Sequence, residues 1–407
     1  MAKKKGLIIG GGAAGFFCAA NLDSSLFDVT LLEQQSAVLQ KVKISGGGRC
    51  NVSHACFDAR DLVKFYPRGN KELLSVFSKF QPGDTMQWFM DRGVDLKIES
   101  DNRIFPESNS SQTIIDCLVN EAAKNNVNVI TKTTVKTIEK KESQYFIETN
   151  NGNFEADFVV FATGSAPKSW KVLGDLGFKL VEAVPSLFTF NIKDPLIADL
   201  PGTTFEQVEV QIKNIKAQEQ GPLLVTHWGL SGPAILKLSA WKARELFAMD
   251  YRFGIEVKFL AMPLVHADEL FTDYRMKHPK KQVGQAKIFA VTQRFWMKVL
   301  DVNQINPEKQ LAQLNKKEIQ KILETLVKKN FNVDGKSTFK DEFVTAGGVE
   351  LKEINFKTME AKNHENFYLA GEVLNIDAVT GGFNFQACWS EAWLIAQDLN
   401  QKFRLNI

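Results

Sequence analysis

The sequence predicts an α/β fold. A parallel sheet with an antiparallel β-meander is interrupted by a β-barrel-like insertion that carries a small helical subdomain. Three observations predict it. The chain opens on an apolar run, Gly6-Leu7-Ile8-Ile9, followed by Gly10-Gly11-Gly12-Ala13-Ala14-Gly15 and a small-residue helix read from Ala13 to Leu22. That is the order of a buried strand, a tight turn and a closely packed helix. From about residue 186 the pattern changes to short alternating stretches, which suit an antiparallel sheet or barrel. Near residue 341 it returns to glycine-rich, strand-like sequence and closes in a helix over Phe385–Phe403.

The first unit carries the strongest signal. Gly10, Gly12 and Gly15 fit the G-x-G-x-x-G fingerprint of a Rossmann-type dinucleotide-binding turn. The first glycine permits the turn and the second lets a pyrophosphate approach the backbone. The third lets helix and strand pack closely. The N–H groups of Ala13 and Ala14 then open a helix N-terminus that favours phosphate. Asp28-Val29-Thr30-Leu31-Leu32-Glu33 reads as the second parallel strand. Glu33 stands at the spacing of the acid that binds ribose hydroxyls, about 20 residues on.

The remaining elements follow in order. Residues 70–92 have helical spacing, with a second helix starting at Asp84-Thr85 after Pro82-Gly83. Trp88 and Phe89 fall on its apolar face as core. Another helix spans 109–125. Strand-like stretches cover Val127–Ile138, Tyr145–Thr149 and Phe154–Ala162, with Asn150-Asn151-Gly152-Asn153 as a hairpin turn. Leu187–Ile192 and Phe205–Ile212 alternate as strands. We therefore place one discontinuous domain at 1–188 plus 341–407 and an inserted domain at 189–340. The insertion is β-rich over 189–262 and about 330–340, and helical over about 265–330.

Bulk properties narrow the function class. The 407 residues carry a net charge of +3 and are 44% hydrophobic, ordinary for a globular chain. That charge does not point to a nucleic acid or membrane partner, so a small-molecule substrate is expected. No run approaches a membrane span. Five cysteines at irregular spacing, with no C-x-x-C, disfavour a disulfide framework or zinc site and fit a reducing cytoplasm.

A second glycine cluster carries chemistry of its own. Ser45-Gly46-Gly47-Gly48-Arg49-Cys50-Asn51 leaves backbone N–H groups free for an anion-binding nest. The Arg49 guanidinium suits a pyrophosphate, and Lys41 is a weaker candidate for the same charge. Cys50 is a candidate nucleophile, set against a packed thiol beside the site. His227, followed by Trp228, is a candidate proton donor, set against a packed turn. No second G-x-G-x-x-G marks a nicotinamide domain.

Other stretches carry a resemblance. Phe154–Gly164, ending in Ala162-Thr163-Gly164, looks like the strand-plus-ATG element of two-dinucleotide-binding-fold flavoproteins. Thr133-Thr134-Val135 looks like the strand whose backbone meets the adenine. Leu369-Ala370-Gly371-Glu372 is similar to the second FAD motif, whose acid binds the ribityl chain. Asp377 and Thr380-Gly381-Gly382-Phe383-Asn384 precede the last helix, where N–H groups would face the flavin pyrimidine.

Lys43–Ser53, Thr226–Ala234 and Thr345–Val349 together resemble the bacterial YhiN-like or bile-acid-reductase-like flavoproteins, also called the aminoacetone oxidase family. Within that pattern Asn375 stands where an acid is common. The resemblance implies noncovalent FAD and NAD(P)H-linked reduction of a small organic substrate, an enone C=C being the known type. A flavin oxidase using oxygen, or a non-catalytic FAD-containing protein, stays open as the alternative.

Overall fold

The computed structural model describes residues 3–337 and 344–404. The predicted return near 341 lies outside the described residues. The chain divides into two compact units, Met1–Val184 with Lys340–Ile407, and Pro185–Phe339.

The first unit is organised by five parallel strands. β1 (Lys4–Ile9) pairs with β2 (Phe27–Leu32), which pairs with β3 (Asn128–Ile130). On its other side β1 pairs with β4 (Phe158–Phe161), which pairs with β5 (Phe367–Leu369). The order 3-2-1-4-5 is that of a doubly wound sheet, whose ligand crevice opens between strands 1 and 4 at their C-terminal ends. Residues 354–355 and 360–361 extend the β5 edge antiparallel.

Burial explains these strands. Leu7, Ile8 and Ile9, and all of Phe158–Phe161, are buried, as the apolar runs of a sheet covered on both faces require. Helix α1 (Ala13–Asn21) packs on helix α2 (Phe383–Arg404). Phe17, on α1, meets Trp88, Phe89 and Trp389 with ring centroids 4.5, 6.4 and 5.2 Å away. Each such buried ring contributes roughly 2 kcal/mol.

Three boundaries differ from the sequence reading. Val127–Ile138 splits between β3 and a separate meander, 135–141, 144–149 and 152–156. Phe154–Ala162 likewise breaks at Asp157, whose carboxylate accepts the Lys5 N–H at 2.8 Å and ties the break to β1. The helix expected from Asp84 starts at Pro82, because Gln81 and Asp84 form a capping box around a proline in the first turn.

The second unit is an antiparallel sheet in the order 329–334, 252–258, 204–212, 217–225, 229–231, 189–191, 336–337. It closes on itself at Gly335, whose N–H donates to Tyr251 and whose carbonyl accepts from Asn191. Helices 264–277, 293–302 and 316–327 cover one side of its core. Asn315 and Glu318 cap the last of them reciprocally.

Candidate functional site

The crevice of the first unit gathers five glycine-bearing segments from both ends of the chain. Gly10 follows β1 at a φ of +114°, and a Cβ there would lie 2.3 Å from the Ala162 carbonyl oxygen. A Cβ on Gly15 would lie 2.0 Å from the Gly10 carbonyl oxygen. These two glycines therefore serve the chain's own packing. Gly12 differs: among the described residues a Cβ there meets nothing within 4 Å, and no side chain caps the helix that begins at Ala13. The helix N-terminus faces open space with uncapped N–H groups, the arrangement that accepts a phosphate.

Glu33 closes one end. One carboxylate oxygen accepts the Gly11 N–H at 2.8 Å and the other the Gln35 N–H at 2.7 Å. The Thr133 N–H donates to the Glu33 carbonyl at 2.8 Å, which brings the approach to Val135 alongside. Glu33 and the approach to Val135 thus share one edge.

The other end is built from Thr163-Gly164 and Gly371-Glu372. Gly164 has φ +63°, and among the described residues the only atom within 4 Å of a Cβ there is a Glu372 carboxylate oxygen at 3.9 Å. Thr163 Oγ1 is buried with no hydrogen-bond partner among the described residues. Lys41 forms an ion pair with Glu372 across 331 positions of sequence. Beneath Gly371, the buried Glu391 accepts its N–H at 2.6 Å.

The Ser45–Asn51 loop lies in left-handed backbone at Gly46, Gly47, Gly48 and Cys50. Cβ positions on Gly47 and Gly48 meet nothing within 4 Å. Asn51 joins this loop to the last one: its amide oxygen accepts the Gly382 N–H at 3.0 Å and its nitrogen donates to the Ser53 carbonyl at 2.9 Å. Ser45 turns inward, its hydroxyl donating to the Val42 carbonyl at 3.0 Å. Thr380 is exposed and Gly381, with φ +136°, precedes the helix.

Three expected side-chain roles change, those of Arg49, Asp377 and Cys50, while Phe383 and Asn384 are expected to act through backbone N–H groups. The Arg49 guanidinium is held by Glu99 at 2.6 Å and stacks 3.9 Å from the Phe105 ring centre, so it is not beside the open glycines as a free cation. Asp377 is fully buried and bidentate with Arg68, so its carboxylate anchors the loop. Phe383 clusters with the His54 ring at 4.5 Å and Phe65 at 4.3 Å, and its carbonyl accepts from the Tyr66 hydroxyl at 2.6 Å. The Asn384 amide accepts the Ala378 N–H at 3.0 Å. Burial pushes the Cys50 thiol up to about 12, which removes it as a thiolate nucleophile.

His227 and Trp228 belong to the second unit. They lie in a turn where Thr226 Oγ1 accepts both the Trp228 and Gly229 N–H groups at 3.2 Å. Trp228 is 60% exposed and His227 is also exposed.

Several residues of the site escaped sequence reading. Arg68 and Glu99 are lone charges outside any motif. Gln386 lies buried at the start of α2, where it accepts from Ser53 at 2.5 Å and Thr85 at 3.0 Å. Only the reversal of polarity on an otherwise apolar helix face marks it.

Fold and crevice define a Rossmann-type dinucleotide-binding protein. The profile of the HI0933-like protein Rossmann domain matches residues 4–398, and the chain belongs to this family of FAD-binding Rossmann proteins. Among relatives, the ribosomal RNA dihydrouridine synthase of Escherichia coli (strain K12) is 28% identical over 97% of both chains. The 3-dehydro-bile acid delta(4,6)-reductase of Clostridium scindens is 24% identical over 95% of this chain and 97% of its own. A flavocytochrome c3 fumarate reductase superposes with a TM-score of 0.50 at 14% identity, covering 98% of this chain and 78% of that one. The 3-ketosteroid-delta4-(5alpha)-dehydrogenase of Rhodococcus jostii RHA1 does so with 0.50 at 13% identity and 97% of both. These last two speak to the fold alone. The chain is thus a flavin oxidoreductase by family. No helix among the described residues is long and apolar enough to cross a membrane.

Proposed function

We propose that this protein is an FAD-dependent reductase that saturates a carbon–carbon double bond conjugated to a carbonyl, with the uracil ring of RNA as its substrate. The observation that carries this reading is a bond shared by two full-length relatives. A dihydrouridine synthase saturates the C5=C6 bond of uracil, conjugated to C4=O. A 3-dehydro-bile acid delta(4,6)-reductase acts on double bonds in line with a ketone. The RNA substrate is favoured because a second relative, from Haemophilus influenzae, carries the same ribosomal RNA name at 23% identity over 97% of this chain. This departs from the small-molecule expectation drawn from net charge.

The crevice fits FAD on three grounds. Among the described residues the α1 N-terminus has no side-chain cap, Gly12, Gly47 and Gly48 face open space, and Thr163 Oγ1 is buried without a partner. Glu33 would hold the adenosine ribose, Gly12 to Ala14 the pyrophosphate, and Glu372 with Lys41 the ribityl end. The backbone at Thr380–Phe383 would meet the pyrimidine edge. Bound FAD supplies hydride transfer, with NAD(P)H as the external two-electron donor.

The net reaction consumes NAD(P)H and one proton and adds two hydrogens across the double bond. The chain's own tasks are to orient the ring, exclude water and deliver the proton to the carbon next to the carbonyl.

The test is direct. The purified holoprotein is mixed anaerobically with NADH or NADPH, and unmodified ribosomal RNA is then added. Expected are bleaching of the flavin, reoxidation on adding RNA, and dihydrouridine in the digested RNA. Flavin that neither nucleotide bleaches, or peroxide release in place of dihydrouridine, overturns the reading.

A further inference from the structure

The net charge of +3 hides an uneven distribution. The unit Pro185–Phe339 holds 22 Lys and Arg against 16 Asp and Glu, whereas the rest of the chain holds 28 against 31. Within that unit, residues 274–330 hold 13 against 4. A single-sign excess of this density repels itself and contributes nothing to folding.

The structure gathers part of this excess around one aromatic ring. Tyr274 Oη accepts from Lys281 Nζ at 3.1 Å and from the Lys287 N–H at 3.3 Å. The neighbouring His278 ring lies 4.6 Å away, tilted by 50°. The strand-like segment after it is laced to residues 310–312: the Leu311 N–H donates to the Lys281 carbonyl at 2.9 Å and the Ala312 N–H to the Pro279 carbonyl at 3.0 Å. This lacing carries Lys280 and Lys281 to the turn that leads into helix 316–327, which begins with Lys316 and Lys317.

Lys280, Lys287, Lys316 and Lys317 are exposed and have no acidic partner within ion-pair distance among the described residues. The placement of Lys316 and Lys317 is itself unfavourable, because cations oppose the dipole at a helix N-terminus. Local stability does not account for them.

We infer that this surface of the inserted unit, Lys280, Lys281, Lys287, Lys316 and Lys317 around Tyr274, binds the phosphate backbone of RNA. The inference rests on the RNA reading of the proposed function and adds where the RNA is held. Clustered ammonium groups supply sequence-independent phosphate affinity through counterion release. Tyr274 packs against the core of this unit and holds Lys281 in the cluster. The site recognises a polyanion without reading sequence, which leaves selection of the base to the redox site.

The experiment uses the holoprotein and protein-free bacterial ribosomal RNA, with K280E/K316E/K317E compared with K352E/K357E/K362E on the first unit. Binding is measured from low to moderate salt. Expected is about a tenfold or greater loss for the first variant near physiological salt, with a shallower salt dependence, and little change for the second. FAD content and flavin bleaching stay as in the unaltered protein. K316E/K317E melts no lower than the unaltered protein, since acids suit a helix N-terminus.

Equal binding by the first variant, or equal loss in both, overturns the inference. So does salt-sensitive binding to vesicles containing phosphatidylserine without binding to RNA. If the first variant alone loses RNA while the unaltered protein makes no dihydrouridine, the surface stands and the proposed reaction falls. If dihydrouridine forms equally in all three, the reaction stands and the surface falls.

Discussion

Glu391 holds the Gly371 N–H at 2.6 Å with one carboxylate oxygen, while its other oxygen is buried without a partner among the described residues. Burial raises this carboxyl to about 8, against the lowering effect of that hydrogen bond. At neutral pH the folded protein therefore keeps a proton that the unfolded chain releases near 4.5. Its folded value lies above the unfolded one, so its contribution is complete below about 4.5 and is lost as pH rises through about 8. The steepest slope is about 1.4 kcal/mol per pH unit. Glu391→Gln keeps the acceptor for Gly371 and cannot ionise. We expect its melting temperature to change less between pH 5 and pH 8 than that of the unaltered protein. A parallel decline in both would refute the assignment.

The three fingerprint glycines separate into packing and ligand roles. Gly15→Ala drives a methyl into the Gly10 carbonyl at 2.0 Å. It should cost about 3 kcal/mol or prevent folding. Gly12→Ala fills open space at φ −92°, ψ −165°, which alanine adopts freely. It should leave the apoprotein's melting temperature within a few degrees yet lower FAD retention through purification. A Gly12→Ala protein with full flavin content would remove the open turn as the pyrophosphate seat.

The fingerprint, the β1-α1-β2 unit and the closing helix were legible because each is local: turn, period and packing lie within a few residues. The joins between distant segments were not. Arg68 with Asp377, Lys41 with Glu372, and Asn51 with Gly382 bring together residues about 300 or more positions apart, and nothing in either local pattern names the partner. The Arg49 side chain, adjacent to motif glycines, was credited with a ligand role for the same reason. It is instead held by Glu99 and Phe105, contacts that only tertiary structure creates. The basic surface escaped because charge was summed over the whole chain, where the acidic first unit cancels it.

Arg68 and Asp377 form a bidentate pair in which the carboxylate is wholly buried. Removing one partner strands the other charge, at a cost of about 3–5 kcal/mol. Asp377→Ala should therefore lower the denaturation midpoint strongly, whereas Arg68→Leu with Asp377→Leu should recover part of the loss. If the single and double variants lose equally, the pair does not account for the stability of the 377–384 loop.

Glu33 ties the fingerprint to the second strand and stands where a ribose would sit. Its two oxygens accept the Gly11 and Gln35 N–H groups, which fixes the carboxylate in place. Glu33→Gln replaces one acceptor oxygen by a donor that faces another N–H, and removes the charge that strengthens both bonds. Hydrogen bonds to a charged group contribute about 1.5–3 kcal/mol. FAD affinity should accordingly fall by about 10- to 100-fold, measured by titrating apoprotein with FAD and following flavin fluorescence. Thermal unfolding of the two apoproteins separates this from a folding defect. A Glu33→Gln apoprotein that binds FAD as tightly as the unaltered chain would move the ribose away from this carboxylate.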